Sequence, residues 1–293
     1  MPIVKYKQRD KKSRKYLQEI PSLYPLGYTP VKANHHRFTD EPPPLTNAKD
    51  NTIRLYGRNI VTIYTTTRQF ILDKYSIDLN DEQPDYRLSD GNTKLKKDGI
   101  VSFNLIPIVH CPMAGACKSF CYATVGQQAF KNGVLRRARA FLATQQADFV
   151  PRMVAEVQRA VTRGAKAVRV HDSGDFYSYE YMLQWFEIAR ANPDTRFYAY
   201  TKMVALVRMA HKAGLVPDNF RLIQSLGGIA DKQIDRSLPH SRIFASLDEL
   251  LAAGYADASE SDAPAAFSDT PNVGLIIHGA KSKRFDASTM NVA

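Results

Sequence analysis

Cys111, Cys117 and Cys121 are the 3 cysteines of this 293-residue chain, and all fall in one stretch, His110-Cys111-Pro112-Met113-Ala114-Gly115-Ala116-Cys117-Lys118-Ser119-Phe120-Cys121-Tyr122, with the spacing C-x5-C-x3-C. Buried structural cysteines have no reason to cluster in a loop, and an odd number leaves no complete disulfide framework. Three thiolates converging from one loop suit a metal. A structural zinc site is normally closed by four ligands, so zinc would draw its fourth from His110, His171 or His278. A cubane [4Fe-4S] cluster instead takes three cysteines and leaves one iron open to another ligand. The loop lacks a C-x2-C knuckle, and Pro112, Ala114, Gly115 and Ala116 let it wrap around something bulky. The reading is therefore an iron–sulfur cluster on Cys111, Cys117 and Cys121, with zinc as the alternative. A redox disulfide relay has neither C-x2-C nor a thioredoxin-like context behind it.

The elements that must hold this loop alternate between strand and helix from Ile100 onward. Strand-length apolar runs occur at Val101 to Val109, Ala167 to His171, Arg196 to Tyr200, Arg221 to Ser225, Arg242 to Ala245 and Val273 to Ile277. Between them, Met153, Val154, Val157 and Val161 mark a helix with Pro151 in its first turn. Met182, Trp185, Phe186 and Ala189 mark a second, whose aromatic stripe reads as core, and Leu206, Val207, Met209 and Ala210 a third, ended by Gly214 and Pro217. Repeated βα steps predict an α/β fold: a parallel βα barrel, full or partial and TIM-like, over residues 100–293. Upstream, 46–99 reads as a small β-rich appendage with a hairpin through Ile53, Leu55, Tyr56, Ile60, Val61, Ile63 and Tyr64 about Gly57 to Asn59, and Asp73 to Lys97 reads as loops. Residues 1–45 are a basic arm followed by a Pro-rich connector.

In parallel βα folds chemistry gathers at the carboxyl ends of the strands. The residues there are His110 and Cys111; His171, Asp172, Ser173 and Asp175; Tyr200, Thr201 and Lys202; Gln224, Ser225, Gly227 and Gly228; and His278, Gly279 and Lys281. Asp175 or Ser178 can also cap the helix through Trp185. The hardware of other enzyme classes is missing from the sequence: no G-x-S-x-G elbow, no G-x4-G-K-[ST] loop and no Rossmann fingerprint.

The formal charge is +11, and Lys5, Lys7, Arg9, Lys11, Lys12, Arg14 and Lys15, against Asp10, place +6 of it within residues 1–16. Such a segment attracts phosphates through counterion release, which makes nucleic acid a partner expected of the arm; the alternative is a solvated tail. No apolar run reaches the roughly 18 to 20 residues that span a bilayer, and no apolar stretch follows the basic start. The expected location is the cytoplasm, without a membrane partner.

Two resemblances follow from these residues. A strand, then a cysteine loop with Phe120 immediately before Cys121, then a helix and further βα units resembles the radical S-adenosylmethionine superfamily. That resemblance implies a cluster whose open iron binds S-adenosylmethionine, with Ser173, Gly174 and Asp175 of His171-Asp172-Ser173-Gly174-Asp175-Phe176 orienting the nucleotide and Tyr200 and Lys202 facing the substrate. The usual spacing is C-x3-C-x2-C, so both intervals are longer here. Gly91-Asn92-Thr93-Lys94-Leu95, Cys121-Tyr122-Ala123, Val170 through Phe176, Phe197 through Lys202 and His278-Gly279-Ala280-Lys281 together resemble the gene product eighty-eight family of bacteriophages and mobile elements. This implies a barrel-like fold and a cysteine-bound cluster. Three functions remain open at this point: a radical-type enzyme, a non-catalytic redox sensor or nucleic-acid-binding protein, and a zinc enzyme with His171 and Asp172 as an acid–base pair. Adjacent strand residues point to opposite faces, which argues against that pair.

Overall fold

The computed structural model describes residues 60–278, 282–286 and 288. Its order is α1 (Ile60–Tyr75), α2 (Thr93–Lys97), β1 (Ile100–Phe103), α3 (Cys117–Phe120), α4 (Lys131–Thr144), α5 (Phe149–Thr162), β2 (Ala167–Val170), α6 (Tyr179–Arg190), β3 (Arg196–Thr201), α7 (Val204–Lys212), β4 (Phe220–Ser225), β5 (His240–Phe244), α8 (Leu247–Ala252), β6 (Ala256–Asp257), α9 (Ala263–Ala266) and β7 (Asn272–Ile276). The strands form one 7-stranded sheet in the order β1-β2-β3-β4-β5-β7-β6, and every pairing is parallel. The sheet curls into a half-barrel, with β1 and β6 as its two edges.

The six strands expected from the apolar runs are all present, but the first is shorter than expected. Pairing along β1 stops at Phe103, because the chain then turns: the Leu105 amide donates to the Ser173 carbonyl at 2.9 Å, Pro107 has no amide to donate, and Ile108 takes a positive φ of 66°. The short strand β6 and its insertion outside β7 were not expected, since two residues carry no periodic signal.

The β-rich appendage needs correction. The first arm of the expected hairpin lies outside the described residues. The second is the helix α1, and residues 60–99 contain no strand, only a bridge from Ser89 to Ser102. Ile63, Thr67 and Ile71, four residues apart, are almost wholly buried. That period places them on one helical face, and packing there overrides the strand preference of a Thr- and Ile-rich run. The loops expected over 73–97 also contain α2, whose first turn is capped by Asn92 accepting from the Leu95 amide.

Strand β3 shows how the sheet divides the interior. Phe197 and Ala199 enter the large core with Phe103, Phe149, Trp185 and Phe186, while Tyr198 and Tyr200 face the other side with Leu95, Ile223 and Ala258. Trp185 is fully buried and meets Phe103 and Phe149 edge to face. On the other side the segment that carries α9 is anchored by charge. Asp262, fully buried, takes Arg169 Nη1 at 2.7 Å, Lys94 Nζ at 2.6 Å and the Tyr198 hydroxyl at 2.6 Å. Removing that carboxylate leaves Arg169 with Asp172 alone and Lys94 with only the Ala258 carbonyl. We expect Asp262→Ala to cost about 3–5 kcal/mol, measured by denaturant unfolding, with Asp262→Asn intermediate.

Candidate functional site

Because the sheet is parallel, the segments leaving β1, β2, β3 and β4 emerge together. The cysteine loop leaves β1 and crosses to the turn after β4, past the ends of the two strands between. The crossing is made by backbone: Gly115 and Cys117 amides donate to the Gly227 carbonyl at 3.0 and 3.1 Å, the Ile229 amide donates to the Met113 carbonyl at 3.0 Å, and Ala114 bridges Gly228. A Cβ on Gly115 would lie 2.7 Å from the Gly228 carbonyl carbon, so only glycine allows this approach. The Asp231 carboxylate fixes the turn by accepting from the Gly227 and Gly228 amides at 2.7 and 2.8 Å. Asp231 was not anticipated from the sequence; a carboxylate shortly after a Gly-Gly pair was the available signal.

Under this loop lie Asp175 and Lys202. Asp175 Oδ1 accepts from the Thr201 hydroxyl at 2.6 Å and the Phe176 amide at 2.7 Å, and its Oδ2 from the Lys202 amide at 2.8 Å. Burial nonetheless raises its pKa to about 6, against those hydrogen bonds and the Lys202 charge. Lys202 Nζ donates to the Ser225 hydroxyl at 3.0 Å. Burial alone would lower the Lys202 pKa, but Cys117, Asp175, Cys111 and Asp231 around it carry it above its ordinary value. Burial, with Asp175 adding to it, pushes the Cys111 thiol well up, so it is protonated at neutral pH. Cys111 and Cys117 thus share one electrostatic neighbourhood.

Cys121 belongs to another. Its neighbour Tyr122 donates to the Asp172 carbonyl at 2.5 Å and to Asp172 Oδ1 at 2.7 Å, and Asp172 Oδ1 pairs with Arg169 Nη1 at 3.2 Å. Arg137, buried in α4, senses Asp172, Tyr122 and Cys121, and desolvation lowers its pKa. Arg169 in the middle of an otherwise apolar strand was the sequence signal for this buried network; Arg137 offered none. All three cysteines are half-buried, and none is in a disulfide. Among the described residues, no three His, Cys, Asp or Glu side chains stand together so as to hold a metal ion.

The remaining candidates are mostly consumed internally. His171, at a positive φ of 72°, turns into the core, where its Nε2 meets the Tyr181 hydroxyl at 2.9 Å and Phe176 packs on its ring. Burial, then the nearby His110 and Arg169, lowers its pKa to about 3, so the ring is neutral. Asp172 lies instead with Tyr122 and Arg169, and no hydrogen bond joins it to His171. His110 is fully buried, accepting from the Ile106 amide at 3.0 Å and bonded to the Thr67 hydroxyl at 2.8 Å. Ser173 donates to the Leu105 carbonyl at 2.8 Å. A Cβ on Gly174 would meet Leu105 Cβ at 2.6 Å. Tyr200 lies under the Arg169 guanidinium, 5.1 Å from its ring centroid, with a buried hydroxyl that has no partner. His278 is exposed, Gly279 and Lys281 lie outside the described residues, and so does the basic arm 1–16.

Two outcomes test this construction. Asp231→Ala removes two charge-assisted bonds, and we expect a loss of about 2–3 kcal/mol with faster alkylation of Cys117; Asp231→Asn should retain part of both. Asp175 provides a pH test. Its folded pKa lies above the ordinary 3.8, so its contribution is present below pH 3.8 and is lost as pH rises to about 6. The stability of Asp175→Asn relative to the parent should therefore climb between those values, by at most ~1.4 kcal/mol per pH unit, and level off above.

Comparison with known proteins completes the description. The profile of the gene product 88 family matches residues 86–291, more than half of the chain. The Gene 88 protein of Mycobacterium phage L5 is 33% identical over 123 residues, covering 38% of this chain and 50% of that protein. The chain thus spans about half the length of that relative. No solved structure matches significantly. No helix among the described residues is long and apolar enough to cross a membrane. By the extent of its profile match, which takes in the cysteine loop and the whole parallel sheet, the chain is a member of the gene product 88 family.

Proposed function

We propose that the protein carries a [4Fe-4S] cluster on Cys111, Cys117 and Cys121 at the carboxyl-terminal mouth of the half-barrel, in the manner of radical S-adenosylmethionine proteins. The observation behind this reading is the backbone seam that carries the thiol loop over the strand ends, beside the half-buried Lys202 ammonium. The donor chemistry suits iron and sulfide, whose binding would deprotonate the thiols. The present positions do not fit: Cys121 lies with Tyr122 and Asp172, apart from the Cys111 and Cys117 pole. Loading requires the segment between Cys117 and Cys121 to rearrange. That segment is α3, one turn of helix without a side-chain cap, and so short a helix is held by its surroundings and not by its own propensity. Zinc at the same thiols meets the same obstacle, and His110 and His171, engaged in the core, offer it no fourth ligand.

S-adenosylmethionine is not assigned to Ser173, Gly174 and Asp175, whose polar atoms and packing space are taken up by Leu105, Thr201 and Lys202. The half-barrel keeps its carboxyl-terminal mouth for whatever substrate the cluster would serve, and closure into a full TIM-like cylinder forms no part of the proposal.

Anaerobic reconstitution with iron and sulfide tests it. The expected result is about four irons and four sulfides per chain, a broad absorption near the visible edge and a spin-resonance signal on reduction, all lost in Cys111→Ala, Cys117→Ala or Cys121→Ala. Zinc without sulfide, or iron uptake unchanged by the three substitutions, overturns it.

A further inference from the structure

We propose that the amino-terminal end of strands β1, β2 and β3, opposite the cysteine loop, is a second functional surface, which binds the phosphate backbone of duplex nucleic acid. Ile100, Ala167 and Arg196 are register partners across β1, β2 and β3. The strand entries just before them therefore lie side by side, and the Lys166 amide donates to the Gly99 carbonyl at 2.8 Å. Lys96, Lys97, Lys166 and Arg196 are all exposed at this end. The last turn of α5 adds the exposed Arg159 and the residue after it, Arg163, just upstream of Lys166.

The acidic side chains nearest Lys96, Lys97, Arg159, Arg163 and Lys166 are engaged, whereas the exposed Asp218 and Asp269 stand with Arg196 at the β3 and β4 end of the face. Glu156 is buried and shared between Arg159 at 2.8 Å and Arg163 at 3.9 Å. Asp98 accepts from the Ser261 hydroxyl at 2.9 Å and the Asp262 amide at 2.7 Å. Asp194 is exposed beside Arg196. Lys96, Lys97 and Lys166 form no ion pair among the described residues. Basic residues in the last turn of a helix complement its dipole, which accounts for Lys96, Lys97 and Arg159. It does not account for Lys166 or Arg196, which stand at strand entries.

Two strand spacings measure roughly 10 Å, over which one DNA strand presents about three phosphates. The exposed large apolar side chain here is Val161, with no exposed aromatic ring among the described residues of the patch. Bases have nothing to stack on, so the chemistry fits a duplex backbone without sequence readout. This inference is independent of the cluster and of the basic arm.

Fluorescence anisotropy of a mixed-sequence DNA duplex with the full chain, across a salt series, tests it. Lys97→Glu/Arg163→Glu/Lys166→Glu should weaken binding by more than tenfold at about 0.1 M salt and reduce the slope of log K against log salt by about 2 to 3. The Gln versions of the same three should show a smaller loss in the same direction, and thermal unfolding identifies any variant that fails to fold. Lys283→Glu/Arg284→Glu, in the 3-10 turn that precedes Phe285, should leave the slope unchanged. An equal loss in that control, an unchanged slope in both triple variants, no binding by the parent chain, or binding to anionic phospholipid vesicles in place of the duplex would each overturn the proposal.

Discussion

A wholly parallel sheet sends every strand out at the same end, and this constraint fixes where the chemistry of the protein lies. The segments that follow β1, β2, β3 and β4 are far apart in sequence, yet they carry the cysteines, Asp175, Lys202 and the Gly227-Gly228 turn to one rim. Had any of these strands run the other way, its polar end would have faced the amino-terminal end of the sheet, where Lys97, Lys166 and Arg196 now stand. The two ends therefore differ in chemistry: thiols and buried charge at one, exposed cations at the other.

The rim is held largely by main-chain groups. The Gly227 carbonyl receives two amides of the cysteine loop, and Asp231 holds that carbonyl in place by binding the amides of its own turn. Such a seam depends on close backbone approach, which Gly115 permits and a side chain there would prevent. Charge is handled in the same economical way. Lys202, Asp175 and Asp231 compensate one another beneath the loop, whereas Arg169, Asp172 and Asp262 do so beside Tyr122. The two networks divide the three thiols between them, and that division is why the chemistry of the donor set and its present arrangement disagree.

Much of the architecture could be read from the residues. The strands at Ala167, Arg196, Arg221, Arg242 and Val273, and the helices through Met153, Trp185 and Leu206, follow from apolar period alone, because burial on one or both faces imposes it. Reading failed where tertiary packing overrode local preference. Residues 60 to 64, rich in strand-forming types, became helix because Ile63, Thr67 and Ile71 had a core to enter. Their four-residue interval was visible, but it competed with β-branched propensity over a short window.

That all cysteines lie in one loop after a strand, that polar residues gather at strand ends and that the fold is parallel α/β was already written in the order of the residues. Only the tertiary structure decided which of those polar residues face the loop. Asp175 and Lys202 do, while His171 turns into the core toward Tyr181, although it stands only four residues from Asp175. The physical reason is that spacing along a chain fixes the order in which groups arrive. Backbone dihedrals such as the positive φ of His171, and partners drawn from distant elements, fix where each one points. The strand order past β5 and the open edges of the half-barrel were likewise decided by packing between elements that carry no record of one another in their own residues.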